Sequence, residues 1–429
     1  MITSVEVSGY RLLDDFKADF GDLTVVIGPN AAGKSTLLDF LLFVRQCLET
    51  HINEVLGWHM GAASVLSARE GSNTISWTLN FGKPRASLGW NQAPFGTGEG
   101  FTYQVKLKVD PSGQVSPERE VLRTSAPLED HTEPLRYIDV SPGRSMVFDR
   151  RQRKLVAFDA GPSQGDGTRD LSESKANVSH TVIPTKDATL LLSKMQFNNE
   201  FPTPSACRSL LASMAFYPGF NVGRFSDLRL KPAEVRRYTT LQPEGENLGT
   251  VLHEMLNTHD FQPQVEDLLD FMKAAYPSFE ALKTETAHGA PGRVSVMIKE
   301  RGIARKMGLW EISDGMLRFL CLAAALLNPL PPPFIGIDEP EAGLHPRLLP
   351  IVADMIKASS EKSQVLVMTH SPDLLNRFSI DDVAVLNREE TRARWFRPNS
   401  RETLVKMLQD VTGESLGDLH RSGELEAVG

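Results

Sequence analysis

The residues Gly28-Pro29-Asn30-Ala31-Ala32-Gly33-Lys34-Ser35-Thr36 fit the spacing Gly-x-x-x-x-Gly-Lys-[Ser/Thr] without a mismatch. That spacing lets successive backbone N–H groups wrap around phosphate oxygens where a helix begins, at the positive end of its dipole. Gly28 and Gly33 allow the backbone to turn and to come close to a ligand. Asn30 and Gly33 belong to the cradle, Lys34 meets the β- and γ-phosphates as a point charge, Ser35 offers its hydroxyl to Mg²⁺, and Thr36 assists at the α-phosphate. The chemistry expected of such a loop is the binding of ATP with Mg²⁺.

Three other stretches can complete that chemistry. Pro333 to Glu339 reads as a short buried strand ending in two consecutive carboxylates. Adjacent strand residues point opposite ways, so Asp338 can join the Mg²⁺ shell that Ser35 begins while Glu339 orients and deprotonates an attacking water. An isolated Asp-Glu pair would be no more than a polar strand end; the phosphate loop gives it a second meaning. Glu311 to Met316 leads into an apolar helix. Ser313 and Asp314 can cap that helix and Gly315 removes bulk, so free N–H groups face an anion; taken alone, this is an ordinary helix start. In Val367 to Pro372 a strand ends in His370. Its imidazole can hydrogen-bond the γ-phosphate or the attacking water, or simply be satisfied at a strand end.

The elements around these residues have the right texture to place them. Leu23-Thr24-Val25-Val26-Ile27 is a nearly continuous apolar run of the kind found in a strand buried on both faces, and from Lys34 the positions Leu37, Leu38, Leu41 and Leu42 have helical spacing. Toward the C-terminus the pattern reads helix (Gly315 to Leu327), strand (Phe334 to Ile337), helix (Arg347 to Ala358), strand (Val365 to Met368), helix, strand (Val383 to Leu386), the alternation of a mainly parallel α/β sheet. Between these ends, β-prone pieces such as Thr74 to Phe81 and Phe101 to Val109 alternate with Gly-, Pro- and Ser-rich stretches, and helical patterns return in Cys207 to Phe216 and Leu248 to Leu256. The expected organisation is therefore residues 1–56 and 293–429 as the two parts of one head, 57–189 as an inserted β-rich arm, and 190–292 as a helical subdomain.

Composition narrows the class. A chain of 429 residues has room for two or three domains, and 41% hydrophobic with 23% charged residues is ordinary globular usage, which argues against global disorder. A net charge of −8 argues against coating nucleic acid through overall charge, while leaving a local basic strip open. Cys47, Cys207 and Cys321 are far apart and suggest buried thiols in a reducing cytoplasm rather than a zinc site. The first residues, Met1-Ile2-Thr3-Ser4-Val5, lack a basic start followed by an apolar run, and Met316 to Leu327 is too short to span a bilayer, so neither a secretory signal nor a membrane segment is expected.

Taken in order, Gly28 to Thr36, Ile312 to Gly315, Ile335 to Glu339 and His370 resemble the Walker A, signature, Walker B and switch-histidine motifs of ABC-type ATPase heads. The segment Glu339-Pro340-Glu341-Ala342-Gly343-Leu344-His345-Pro346 is similar to the stand-alone RecF-like and SMC-like branch, which includes the ATPase halves of OLD-family nucleases and several bacterial anti-phage systems. The signature departs from the transporter form, reading Ile-Ser-Asp-Gly-Met with an acid between Ser313 and Gly315. The resemblance covers the two ends, about residues 1–55 and 300–390, and the middle only loosely. It implies a P-loop head that hydrolyses ATP in an ATP-sandwiched homodimer, with higher oligomers open, beside an effector encoded elsewhere. DNA repair or anti-phage defence is the implied setting. It further implies a Q-loop Mg²⁺ ligand, for which Gln196 is the candidate, and a contact from Arg11 to nucleotide phosphate, with an exposed strand-end arginine as the alternative.

Two basic stretches, Arg144 to Lys154 and Arg229 to Arg237, offer a salt-dependent DNA surface or merely a solvated face. Two rivals belong to other classes. An ATP-regulated nuclease would need a separate acidic metal cluster, and none is evident; a transporter subunit would have a more compact layout than the wide separation of Lys34 from Asp338.

Overall fold

A computed structural model describes residues 1–69, 71–82, 100–127, 132–149, 154–158, 188–195, 201–237, 240–287, 289–400 and 415–427. The chain divides into two compact units, one of Met1, Phe20–Asp39 and Ser213–Gly429, the other of Ile2–Asp19 and Phe40–Ala212.

The first unit is built on a six-stranded sheet ordered Ala215–Tyr217, Phe334–Asp338, Gln364–Met368, Leu23–Ile27, Val383–Glu389 and Arg392–Phe396. The first five strands run parallel and the last pairs antiparallel at the edge. Leu23–Ile27 and Gln364–Met368 are buried along their whole length, as the continuous apolar runs of a sheet covered on both faces require. Their register aligns Asp338 with Met368 and Met368 with Val26, so three neighbouring strands end together just before Glu339, Thr369 and Gly28. Ligands of open α/β sheets bind outside such carboxyl ends.

Helix Asp314–Leu326 is apolar nearly all round and correspondingly buried, packing against Leu349–Ser360, Leu248–Asn257 and Gln262–Ala275. A smaller sheet joins Ala233–Glu234, Arg293–Glu300, Phe279–Thr286 and Met307–Gly308, all antiparallel. Two expectations change here. Residues 190–292 are not wholly helical, because Phe279–Thr286 is a strand paired with Arg293–Glu300 across the expected border. Cys207 to Phe216 is a helix, Pro202–Ala212, followed by the strand Ala215–Tyr217.

The second unit is an eight-stranded antiparallel sheet ordered Phe16–Asp19, Ile2–Ser8, Thr74–Phe81, Phe101–Val109, Val115–Thr124, Arg136–Ser141, Arg144–Asp149 and Lys154–Ala157. Thr74–Phe81 alternates half-buried and buried residues, and Trp77 from its buried face meets Phe40 and Phe43 edge-on. The expected 1–56 head segment is divided, since Ile2–Ser8 pairs with Thr74–Phe81 and belongs to this sheet. Cys47, Cys207 and Cys321 are free and buried. Among the described residues no helix is long and apolar enough to cross a membrane.

Candidate nucleotide site

The loop after Leu23–Ile27 has a shape only certain residues allow. A Cβ on Gly28 would lie 2.0 Å from the Leu386 carbonyl oxygen, so no side chain fits there. Ala31 and Gly33 adopt left-handed φ values of 63° and 109°, bending the chain into helix Lys34–Gln46. The first N–H groups of a helix have no partner within it, which leaves this turn ready for an anion. Lys34 is buried, and its Nζ donates to the carbonyls of Gly28 at 2.7 Å and Pro29 at 3.1 Å. Burial pushes its ammonium down to about 8, against the opposing pull of Asp338, Glu339 and Glu426. Asn30 and Ser35 are exposed and Thr36 is half-buried.

Asp338 closes its strand and is hydrogen-bonded to Ser35. Burial raises its carboxyl above the ordinary range, and the Glu339 charge adds to that, while Ser35, Lys34 and His370 pull the other way. A carboxylate penalised in this way, with a hydroxyl beside it, suits a cation that completes its shell with phosphate and water. Among the described residues no group of three or more His, Cys, Asp and Glu side chains is placed to hold a metal ion. Glu339 lies just beyond the strand with φ 47°, its N–H donating to the Met368 carbonyl at 2.9 Å. The two acids are thus separated by a left-handed kink rather than by the pleat expected of consecutive strand residues.

His370 follows the neighbouring strand. Burial and the Lys34 charge lower its pKa while Glu339 and Glu341 pull it up, and the net shift favours the neutral imidazole. Glu341 fixes this segment: its Oε1 accepts from Thr369 Oγ1 at 2.6 Å and from the His370 N–H at 3.0 Å. Sequence reasoning assigned Glu341 no such role, because its partners lie far along the chain.

Ser313 caps helix Asp314–Leu326 as expected, accepting from the Met316 N–H at 3.2 Å. A Cβ on Gly315 would come within 3.3 Å of the Gly343 carbonyl, so this helix start abuts the turn that follows Glu339. Arg229 holds the preceding loop. Its guanidinium donates to the carbonyls of Val222 at 2.8 Å, Leu309 at 2.7 Å and Ile312 at 2.8 Å, and pairs with Asp314. Arg229 therefore drops out of the second basic stretch as a nucleic-acid contact, because it is buried and committed to these carbonyls.

A cavity of 280 Å³ beside the acids is lined by Tyr217, Pro218, Phe220, Arg318, Asp338 and Glu339. Tyr217 and Pro218 reach it because Ala215–Tyr217 pairs with the Asp338 strand; the Pro-Gly pair after an aromatic run was the signal available for that strand end.

The structure thus gathers Lys34, Ser35, Asp338, Glu339 and His370 at one edge of the parallel sheet, and ties Ser313 and Gly315 to Met316 and Gly343. Arg11 belongs to the second unit, where its Nε donates to the Ser64 carbonyl at 3.1 Å and its guanidinium lies 5.5 Å from the Tyr10 ring centre. Gln196 lies outside the described residues, as do the arginines at 150, 151 and 153.

Comparison with known proteins bears on the fold. Residues 213–376 match the family model described as "AAA domain, putative AbiEii toxin, Type IV TA system", and residues 1–181 match the "AAA ATPase domain" model. Comparison with curated proteins gives no match. Among solved structures, an SMC head bound to the C-terminal winged-helix domain of ScpA is similar over 92% of this chain and 97% of that one, at TM-score 0.52 and 13% identity. An SMC head with an extended coiled coil, bound to the C-terminal domain of ScpA derived from Pyrococcus furiosus, is similar over 95% and 99%, at TM-score 0.53 and 12% identity. AAA-domain models thus match at both ends of the chain, and along most of its length the fold is similar to that of SMC heads, an ABC-type P-loop fold.

Proposed function

We propose that this protein binds ATP with Mg²⁺ and hydrolyses it in a homodimer, each phosphate loop being completed by the Ser313–Gly315 helix start of the other copy. The convergence of Lys34, Ser35, Asp338, Glu339 and His370 at the ends of three adjacent parallel strands carries this reading. Lys34 exchanges the Gly28 and Pro29 carbonyls for phosphate oxygens, trading neutral acceptors for charged ones. Ser35 and Asp338 are the residues that would hold Mg²⁺, which neutralises phosphate charge when bound. Glu339 takes the proton of the attacking water, and the neutral His370 orients that water or the outermost phosphate by hydrogen bonding. A helix start lent by a second copy stabilises developing charge only when two chains are engaged, which couples turnover to assembly.

The cycle of closing and reopening would drive or regulate a separately encoded effector. The match to a model described as a toxin of a toxin–antitoxin system favours bacterial defence over membrane transport as the setting, and SMC heads bound to ScpA domains support a protein partner. DNA repair stays the other setting, with DNA a ligand to be tested by its effect on turnover. The site of action is the cytoplasm.

Mixing two inactive variants tests the composite site. Lys34→Ala removes a phosphate ligand and Ser313→Arg blocks the lent helix start, so each should be inactive alone. An equimolar mixture places one intact composite site in half of its dimers and should recover about a quarter of wild-type turnover. A mixture as inactive as its parents would sink the dimer.

A further inference from the structure

Two short helices near the C-terminus, Leu416–Ser422 and Glu424–Ala427, are fastened to the strand ends that flank the phosphate loop. Asn387 Nδ2 donates to the Glu426 carbonyl at 2.5 Å, and the residue before Asn387 is Leu386, whose carbonyl oxygen lies against Gly28. On the other side, the Gly417 N–H donates to Asn376 Oδ1 at 2.6 Å and Arg421 pairs with Asp373 at 2.7 Å, on and just after the helix that begins two residues after His370. Leu416, Leu419 and Leu425 are buried, and a Cβ on Gly417 would lie 2.5 Å from the Pro372 carbonyl oxygen, so the docking is close.

The pair carries a carboxylate that its surroundings only half satisfy. His420 Nδ1 and Glu426 Oε1 are 2.5 Å apart, while Glu426 Oε2 is buried without a hydrogen-bond partner. Glu426 is thus held beside the phosphate loop through Asn387, which follows the Leu386 carbonyl packed on Gly28, and the Gly28 carbonyl in turn holds the Lys34 Nζ, so the two charges attract.

From this arrangement we infer that Glu426 competes with phosphate for Lys34, so that the C-terminal helix pair is an electrostatic latch loosened by a bound nucleoside triphosphate. Two anions share one cation. A half-satisfied carboxylate in a poorly hydrated place repels a triphosphate more strongly than the same group would in water. Triphosphate binding raises the cost of keeping Glu426 in place, and by linkage the docked helix pair lowers the affinity for nucleotide by the same factor. This inference rests on the assignment of Lys34 as a phosphate ligand and adds a regulator to that site.

Calorimetric titration of Mg²⁺–ATP into the full chain, its Glu426→Gln variant and its Lys34→Ala variant tests the latch, together with hydrogen exchange of residues 416–427 with and without ATP. Glu426→Gln is isosteric and should tighten ATP binding about five- to tenfold. ATP should speed exchange across 416–427 in the unaltered chain. Equal or weaker binding by Glu426→Gln, or slower exchange on adding ATP, would overturn the latch. Where the unaltered chain binds ATP and Lys34→Ala does not, equal or weaker binding by Glu426→Gln condemns the latch alone; if neither the unaltered chain nor Glu426→Gln binds ATP, the nucleotide reading falls with it.

Discussion

Each unit buries a charged residue, and the two are treated in opposite ways. In the second unit Glu120 is fully buried in the antiparallel sheet, and its carboxylate accepts from the Leu191 N–H at 2.6 Å, the Leu192 N–H at 2.8 Å and the Tyr103 hydroxyl at 3.0 Å. In the first unit Lys34 is almost as buried, yet among the described residues its donors are met by carbonyls of its own loop alone, and three carboxylates act on it by charge. Burial shifts both groups, Glu120 up to about 7 and Lys34 down to about 8. A shifted pKa alone therefore does not separate a working group from a structural one. What separates them is closure: Glu120 has its partners supplied by the unit around it, whereas Lys34 keeps partners that a phosphate oxygen can replace.

The sharpest way to break that contrast is to remove the open group. Lys34→Ala should weaken Mg²⁺–ATP binding by about a hundredfold or more, since it deletes a charge-assisted contact to phosphate in a poorly hydrated loop, while leaving the melting temperature nearly unchanged. Titration calorimetry and thermal unfolding would show it; unchanged affinity would end the nucleotide reading. Next in size is Glu339→Gln, which keeps the shape of the side chain and removes the proposed base. Turnover should fall by about 10²- to 10³-fold while ATP still binds. A variant that hydrolyses normally would mean that another group takes the proton.

These residues were legible because their chemistry is written in local spacing. The loop from Gly28 to Thr36, the Asp338-Glu339 pair and His370 each sit at the end of a short apolar run, and a strand buried on both faces advertises itself by that run alone. What escaped is non-local. Nothing near Ile2–Ser8 announces that its partner is Thr74–Phe81, and Ala215–Tyr217 is too short for any period to show. Arg229 reads in the sequence as an exposed residue, of a DNA surface or of a solvated face, because arginine usually lies outside. The carbonyls that bury it come from Leu309 and Ile312, distant in sequence. Glu341 and Glu426 escaped for the same reason.

Arg229 tests whether the Ser313 helix start works separately from the phosphate loop. Arg229→Met leaves three buried carbonyls without their donor and frees Asp314, so the loop before Ser313 should loosen. The expected loss is about 2–4 kcal/mol of stability and about tenfold in turnover, with ATP affinity within about twofold of wild type. Urea unfolding and steady-state kinetics beside titration calorimetry would check this. A parallel loss of ATP affinity would show that the two sites are not separable.

The smallest functional effect should come from the closed group, and here pH is the probe. The folded-state pKa of Glu120, about 7, lies above its ordinary value of 4.5. The folded chain therefore holds this proton more tightly than the unfolded chain, and Glu120 contributes stability that is complete below about pH 4.5 and lost as pH rises through about 7. The loss should be on the order of 3 kcal/mol across that window. Glu120→Gln cannot titrate, so its stability should stay flatter from pH 5 to 8. At low pH it should lie about 1–3 kcal/mol below wild type, because an amide NH₂ now faces groups that are themselves donors. Urea unfolding at several pH values compares the two curves, and parallel curves would show that Glu120 does not titrate in that range. ATP binding by folded Glu120→Gln should match wild type within about twofold, since every partner of this carboxylate belongs to its own unit. A larger change would mean that the closed group serves the open one.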